Sequence, residues 1–144
     1  MDNKVLTTPP VCYVTRPGQV HTMNFKWGSF AVTCSRELSG AVQCSGGLVV
    51  MHPGAGHTRH NHPGTEEVIY VISGSGEQMI EDEEGVQLRW AVSAGTTIFV
   101  PPGRFHSTVN TGSEPMTVFV VYAPGGAEAA LRSDPDCRTV APSA

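Results

Sequence analysis

The sequence predicts an all-β fold, an antiparallel β-sandwich or barrel with at most one short C-terminal helix, and three observations carry that prediction. Sixteen glycines and eleven prolines stand in 144 residues, about one residue in five against a usual one in eight, which leaves no room for long helices. Runs of five to eight β-branched, aromatic or aliphatic residues recur every eight to twelve positions along the chain, as in strand-rich domains. Between the runs lie compact turn sequences such as Pro63-Gly64, Glu84-Gly85, Ala94-Gly95 and Thr111-Gly112, suited to antiparallel hairpins.

Taken in order, the strand signals cover Val11–Thr15, Ser29–Cys34, Gly47–His52, Thr58–His62, Glu67–Ser73, Glu77–Glu81, Val86–Val92, Thr97–Pro101, His106–Asn110 and Met116–Ala123. Each is bounded by Gly, Pro, Ser or Asn, residues that stop a strand. One helical stretch is expected at Ala127–Arg132, after the break at Pro124-Gly125-Gly126. From Ser133 onward the tail is polar and shows no strand pattern. The length suits one domain over residues 1–144, with no internal repeat and no boundary.

Charge narrows the function. The formal net charge is −4 and only 15% of residues are charged, with no Lys/Arg cluster of the kind that binds phosphate backbones, so nucleic acid is excluded as an expected partner. The longest apolar run, Val118–Ala123, is too short to span a bilayer, and the N-terminus lacks a signal-peptide core. A soluble, cytoplasmic protein with no membrane partner is expected. Two strands, Val68–Ile72 and Val118–Tyr122, are apolar on both faces. Burial on both sides needs cover beyond one core, which points to a homodimer, with a monomer wrapped by its own N-terminal segment as the alternative.

The histidines concentrate the chemistry. Three of the six lie at His57, His60 and His62. On an extended strand residues two apart share a face, so His60 and His62 present neighbouring imidazoles while His57 points the other way. After the Pro63-Gly64 turn the next strand opens with Glu66-Glu67, bringing a carboxylate to the pair. His106 heads a later strand in an apolar neighbourhood.

Two segments, Gly54-x5-His60-x-His62-x4-Glu67-x6-Gly74 and Gly95-x5-Pro101-x-Gly103-x2-His106-x3-Asn110, resemble both sequence motifs of the cupin family. The resemblance implies a jelly-roll β-barrel holding one divalent metal ion per chain on His60, His62, Glu67 and His106. The interval to Gly74 selects Glu67 over Glu66 for that role. Imidazole and carboxylate donors suit zinc first, with iron, manganese or nickel as alternatives, and no thiolate is present to favour a closed structural zinc site. Glu66 and His52 are candidates for proton transfer, and Trp27, Phe99, Phe105 and Phe119 for the lining around a hydrophobic small-molecule substrate. Asn110 and the motif glycines read as turn and cap chemistry.

Within the family, the segments Arg59–Gly64, Glu66–Val71 and Tyr122–Glu128 are similar to the small bacterial aromatic polyketide cyclases of the resistomycin and tetracenomycin type. That resemblance implies Lewis-acid-assisted aldol cyclisation and loss of water in antibiotic biosynthesis. Those cyclases in part carry an all-histidine shell, from which Glu67 departs. A dioxygenase using a redox-active metal and O2 is the alternative, and a non-catalytic metal-dependent binding protein the second alternative.

Overall fold

The computed structural model describes residues 12–143. Among the described residues there are eleven strands: β1 (Thr22–Phe25), β2 (Gly28–Cys34), β3 (Ser45–Met51), β4 (Gly56–His60), β5 (Glu66–Ser73), β6 (Ser75–Glu81), β7 (Gln87–Ser93), β8 (Thr97–Val100), β9 (His106–Asn110), β10 (Met116–Ala123) and β11 (Arg138–Val140). They form a seven-stranded sheet in the order β11-β1-β2-β3-β10-β5-β8 and a four-stranded sheet in the order β4-β9-β6-β7. Every pairing is antiparallel. The expected all-β, two-sheet architecture is what the chain adopts.

The core lies between the sheets because the strands alternate. β10 buries Met116, Val118, Val120 and Tyr122 while Thr117, Phe119 and Val121 face outward. β5 does the same with Glu67, Ile69 and Val71 inside. Phe30, Val71 and Met116 are fully enclosed. Asn110 ties the two motif segments together from within: its side-chain amide donates to the carbonyls of Met51 and Glu114 at 3.0 and 2.7 Å, and its backbone exchanges bonds with Gly54 and Ala55. The role in turn chemistry expected for Asn110 is visible in these contacts. Gly74, at φ +85°, crosses between β5 and β6 where an added Cβ would lie 2.8 Å from Met116 Cα, so this turn tolerates no side chain.

Four local expectations are corrected. Cys12–Thr15 is irregular rather than a strand, and Val11 falls outside the described residues. A one-turn helix, α1 (Arg36–Ser39), adds to the single helix expected; Ser35 caps it by accepting from the Leu38 amide, and Gly40 closes it in the left-handed region. The stretch at Ala127–Ser133 is 3-10 rather than α-helical. The polar tail carries β11, whose residues are all exposed and which pairs along β1. No helix among the described residues is long and apolar enough to cross a membrane.

Candidate metal centre

His60, His62, Glu67 and His106 come together from four segments, and one potential donor atom from each lies within 4.8 Å of the others. His60 ends β4, and His106 opens β9 directly opposite it. Glu67 is the second residue of β5, turned inward by the alternation that leaves Glu66 exposed. His62 is not on the strand, as expected, but in the loop beyond β4. Its carbonyl accepts from the Thr65 and Gly103 amides, which pins the loop in place of a sheet ladder.

The cluster is deep and polar atoms in it are left over. Glu67 Oε2 stands 2.9 Å from His106 Nε2 and 3.4 Å from His62 Nε2. Among the described residues none of these three buried atoms has a hydrogen-bond partner of good geometry; they converge on one region. Orphaned buried polar groups cost free energy unless something else binds them. The outer edges of two of the rings are already engaged. His60 Nδ1 contacts the Thr58 carbonyl at 2.6 Å and His106 Nδ1 the Arg104 carbonyl at 2.9 Å. Donation from Nδ1 leaves each Nε2 as a lone pair aimed inward, the arrangement that orients imidazole ligands.

Electrostatics favours the same reading. Burial alone would raise the Glu67 carboxyl, but a proton on the His106 or His62 ring nitrogen facing it overrides burial and holds the group at about 2 in the metal-free protein; a cation seated there would take that proton's place. Burial, aided by His57 and His106, lowers His60 to about 3, so at neutral pH it is an uncharged donor. Three imidazoles beside one enclosed carboxylate suit a divalent cation.

A cavity of about 30 Å³ opens on the cluster. His57, Trp27, Met51, Val120, Thr108 and Tyr122 help line it, and among the described residues neither lysine nor arginine does. Thr108 is already spent, donating to Gln78 at 2.6 Å. Tyr122 supplies the other hydroxyl; burial, with Glu67 and Glu128 nearby, pushes its phenol well above the ordinary value and keeps the proton on it.

Of the residues expected around a substrate, only Trp27 reaches this cavity. Phe99 and Phe119 lie on the outer face of the larger sheet, because each occupies the outward parity of its strand. Phe105 sits beneath the Arg59 guanidinium, 3.8 Å from its centroid. His52 is exposed and Glu66 faces outward, so neither expected proton carrier reaches the cluster. His57 and Tyr122 were not among the expected site residues. The alternation of β10 is the signal for Tyr122, obscured because the strand is apolar on both faces. His57 was expected to point away. A bulge turns it inward: His57 opposes Thr108 and His60 opposes His106, three steps on β4 against two on β9.

A family model described as Cupin domain matches residues 47–122. Among curated proteins the chain is 38% identical over 64 residues to glucose-6-phosphate isomerase of Thermococcus kodakarensis, covering 44% of this chain and 33% of that protein. It is 35% identical over 57 residues to the Pyrococcus furiosus glucose-6-phosphate isomerase, covering 39% and 30%. The chain thus spans about a third of the length of these relatives. Among solved structures, oxalate decarboxylase of Bacillus subtilis at pH 4.6 superposes with a TM-score of 0.67 at 26% identity, over 72% of this chain and 28% of that one. The same Bacillus enzyme has been described with Mn(II) centres; that structure gives a TM-score of 0.64 at 27% identity, over 71% and 27%.

Proposed function

Because the chain belongs to the cupin family, we propose that it is a metal-dependent enzyme of redox-neutral carbonyl chemistry, moving protons next to a carbonyl of a small, uncharged substrate. The observation that carries this is the apolar cavity set directly on the donor cluster with no lysine or arginine among the described residues of its wall. A phosphorylated sugar or a dianion entering it would lose its hydration with no arginine or lysine to replace it. Isomerisation, named for the curated relatives, supports the reaction class; their substrate does not fit this lining.

His60, His62, Glu67 and His106 would hold the ion. When bound, it supplies Lewis acidity that makes protons beside a coordinated carbonyl easier to remove. The chain does the rest. Trp27, Met51 and Val120 exclude water from the cavity. The Tyr122 phenol, which keeps its proton, donates a hydrogen bond to an oxygen on which negative charge grows.

Aromatic polyketide cyclisation is a narrower form of the same chemistry. The cavity, at about 30 Å³, is far below the roughly 300–1,000 Å³ usual for drug-sized ligands, so the smaller carbonyl compounds are preferred here. The test is proton exchange in D2O, followed by NMR on a small 1,3-diketone or α-hydroxyketone, with an oxygen electrode alongside. Zinc-loaded protein is expected to speed exchange with no O2 consumed. Stoichiometric O2 uptake, or turnover with Fe²⁺ and never with Zn²⁺, would replace this reading with the dioxygenase one.

A second copy of the chain is the partner we propose. Val68, Tyr70, Ile72 and Phe99 are 38–52% exposed on the outer face beside the free edge of β8, and neighbouring exposed apolar side chains of this kind mark an interface.

A further inference from the structure

We propose that His57 is a positioning residue for His60: its ring is the flat stop that sets the plane of the His60 imidazole and so the direction in which Nε2 points. This rests on the metal-centre reading above. The geometry begins at the bulge in β4. Without the extra residue, His57 and His60 would occupy opposite faces, as an odd separation requires. With it, their rings meet at 3.6 Å between centroids and 31° between planes. On its other face His57 lies against Trp27, at 5.4 Å and 19°. Trp27 in turn stacks on the core residue Phe25, at 4.8 Å and 7°. A column of four rings therefore runs from the hydrophobic core to the donor cluster.

The column supplies what His60 otherwise lacks. Its Nδ1 contact with the Thr58 carbonyl fixes one point of the ring, and a ring held at one point still swings about it. His106 restrains it at 4.2 Å and 55°, and His62 meets it near edge-on at 5.0 Å. His57, tilted by only 31°, comes nearest to lying flat against it, and it is itself backed by Trp27. His57 makes no side-chain hydrogen bond among the described residues, so its contribution here is shape. Groups that orient a ligand without touching the metal typically matter by about 10- to 100-fold in affinity.

The experiment titrates Co²⁺ into chelator-stripped protein, reading ligand-field absorption and taking affinity from competition with a chromophoric chelator. His57→Phe keeps a flat ring in the stack; His57→Leu keeps volume but offers no flat face; circular dichroism of each metal-free variant checks folding. His57→Leu is expected to weaken Co²⁺ by about tenfold and to alter the absorption envelope, while His57→Phe stays close to wild type in both. If His57→Leu binds like wild type with an unchanged envelope, or if His57→Phe fails as badly as His57→Leu, the positioning role is overturned. His60→Ala keeps that failure apart from failure of the site itself. Wild type and His60→Ala binding equally poorly would overturn the metal centre, whereas tight wild-type binding lost in His60→Ala leaves the centre standing whatever His57 does. Should His57→Leu fail to fold, Trp27→Leu removes the same support from one ring further out and is expected to change the Co²⁺ envelope in the same sense; an unchanged envelope there overturns the proposal.

Discussion

At the scale of residues, parity decides function. Glu66 and Glu67 are adjacent acids, yet one is exposed and the other buried against His62 and His106. Glu67→Gln is therefore expected to weaken metal binding by well over tenfold, and Glu66→Gln to leave it within about twofold, since outward side chains off the site shift little. Equilibrium dialysis distinguishes them; equal effects would mean the register of β5 is off by one. Titration gives a second prediction. His57 is lowered by burial to about 4, and His60 by burial and its ring neighbours to about 3, both from 6.5. Below that value the unfolded chain binds protons that the folded chain refuses, so stability rises with pH there. Stripped of metal, the protein should lose stability progressively as pH falls from about 6.5 through 4 toward 3. Glu67, held at about 2, acts in the same direction below 4.5. Urea midpoints at pH 7.5 and pH 5 check the sign, and a flat midpoint would contradict the buried neutral imidazoles.

At the scale of elements, the sheets hold the donors by backbone pairing that admits no bulk at certain points. A Cβ at Gly56 would meet the Thr108 carbonyl and come within 2.7 Å of Val109 Cα, directly across the β4–β9 ladder. Gly54 has open space around it and only a left-handed backbone to protect. Gly54→Ala should cost about 1 kcal/mol. Gly56→Ala should cost roughly 2–3 kcal/mol, read from urea unfolding of both variants, and loosen the pairing of His60 with His106, visible as weaker metal retention on equilibrium dialysis. Much of this level is legible in the sequence. The boundaries of β9 and β10 follow from their flanking Asn, Gly and Pro, and the donor set is what the resemblance to the cupin motifs implies. What is not legible is long-range. β11 is a polar, exposed edge whose only reason to be a strand is β1 beside it. The bulge before His60 is a mismatch between two ladders, so neither segment alone announces it, and with it the position of His57 was lost. Phe99, Phe105 and Phe119 were plausible lining by residue type alone, whereas their strand parity and the Arg59 contact place them outside.

At the scale of the molecule, one core serves two faces. Between the sheets it builds the metal centre; on the outer face of β5, β8 and β10 it leaves Tyr70, Phe99 and their neighbours in water. A dimer through that face should appear in sedimentation equilibrium at micromolar concentration, and Tyr70→Lys should shift it toward monomer without changing metal content, because Tyr70 points away from the cluster. A wild-type monomer at those concentrations would rule the interface out.

The central claim is that four converging side chains hold one divalent ion. The direct measurement is metal content by plasma mass spectrometry on anaerobically purified protein, wild type beside His106→Ala, after dialysis against buffer without chelator. One ion per chain in the wild type and nearly none in the variant is the expected result, since an open four-donor site has no spare ligand. Protein that carries no stoichiometric metal and takes up none when offered zinc, manganese, iron or nickel would contradict it.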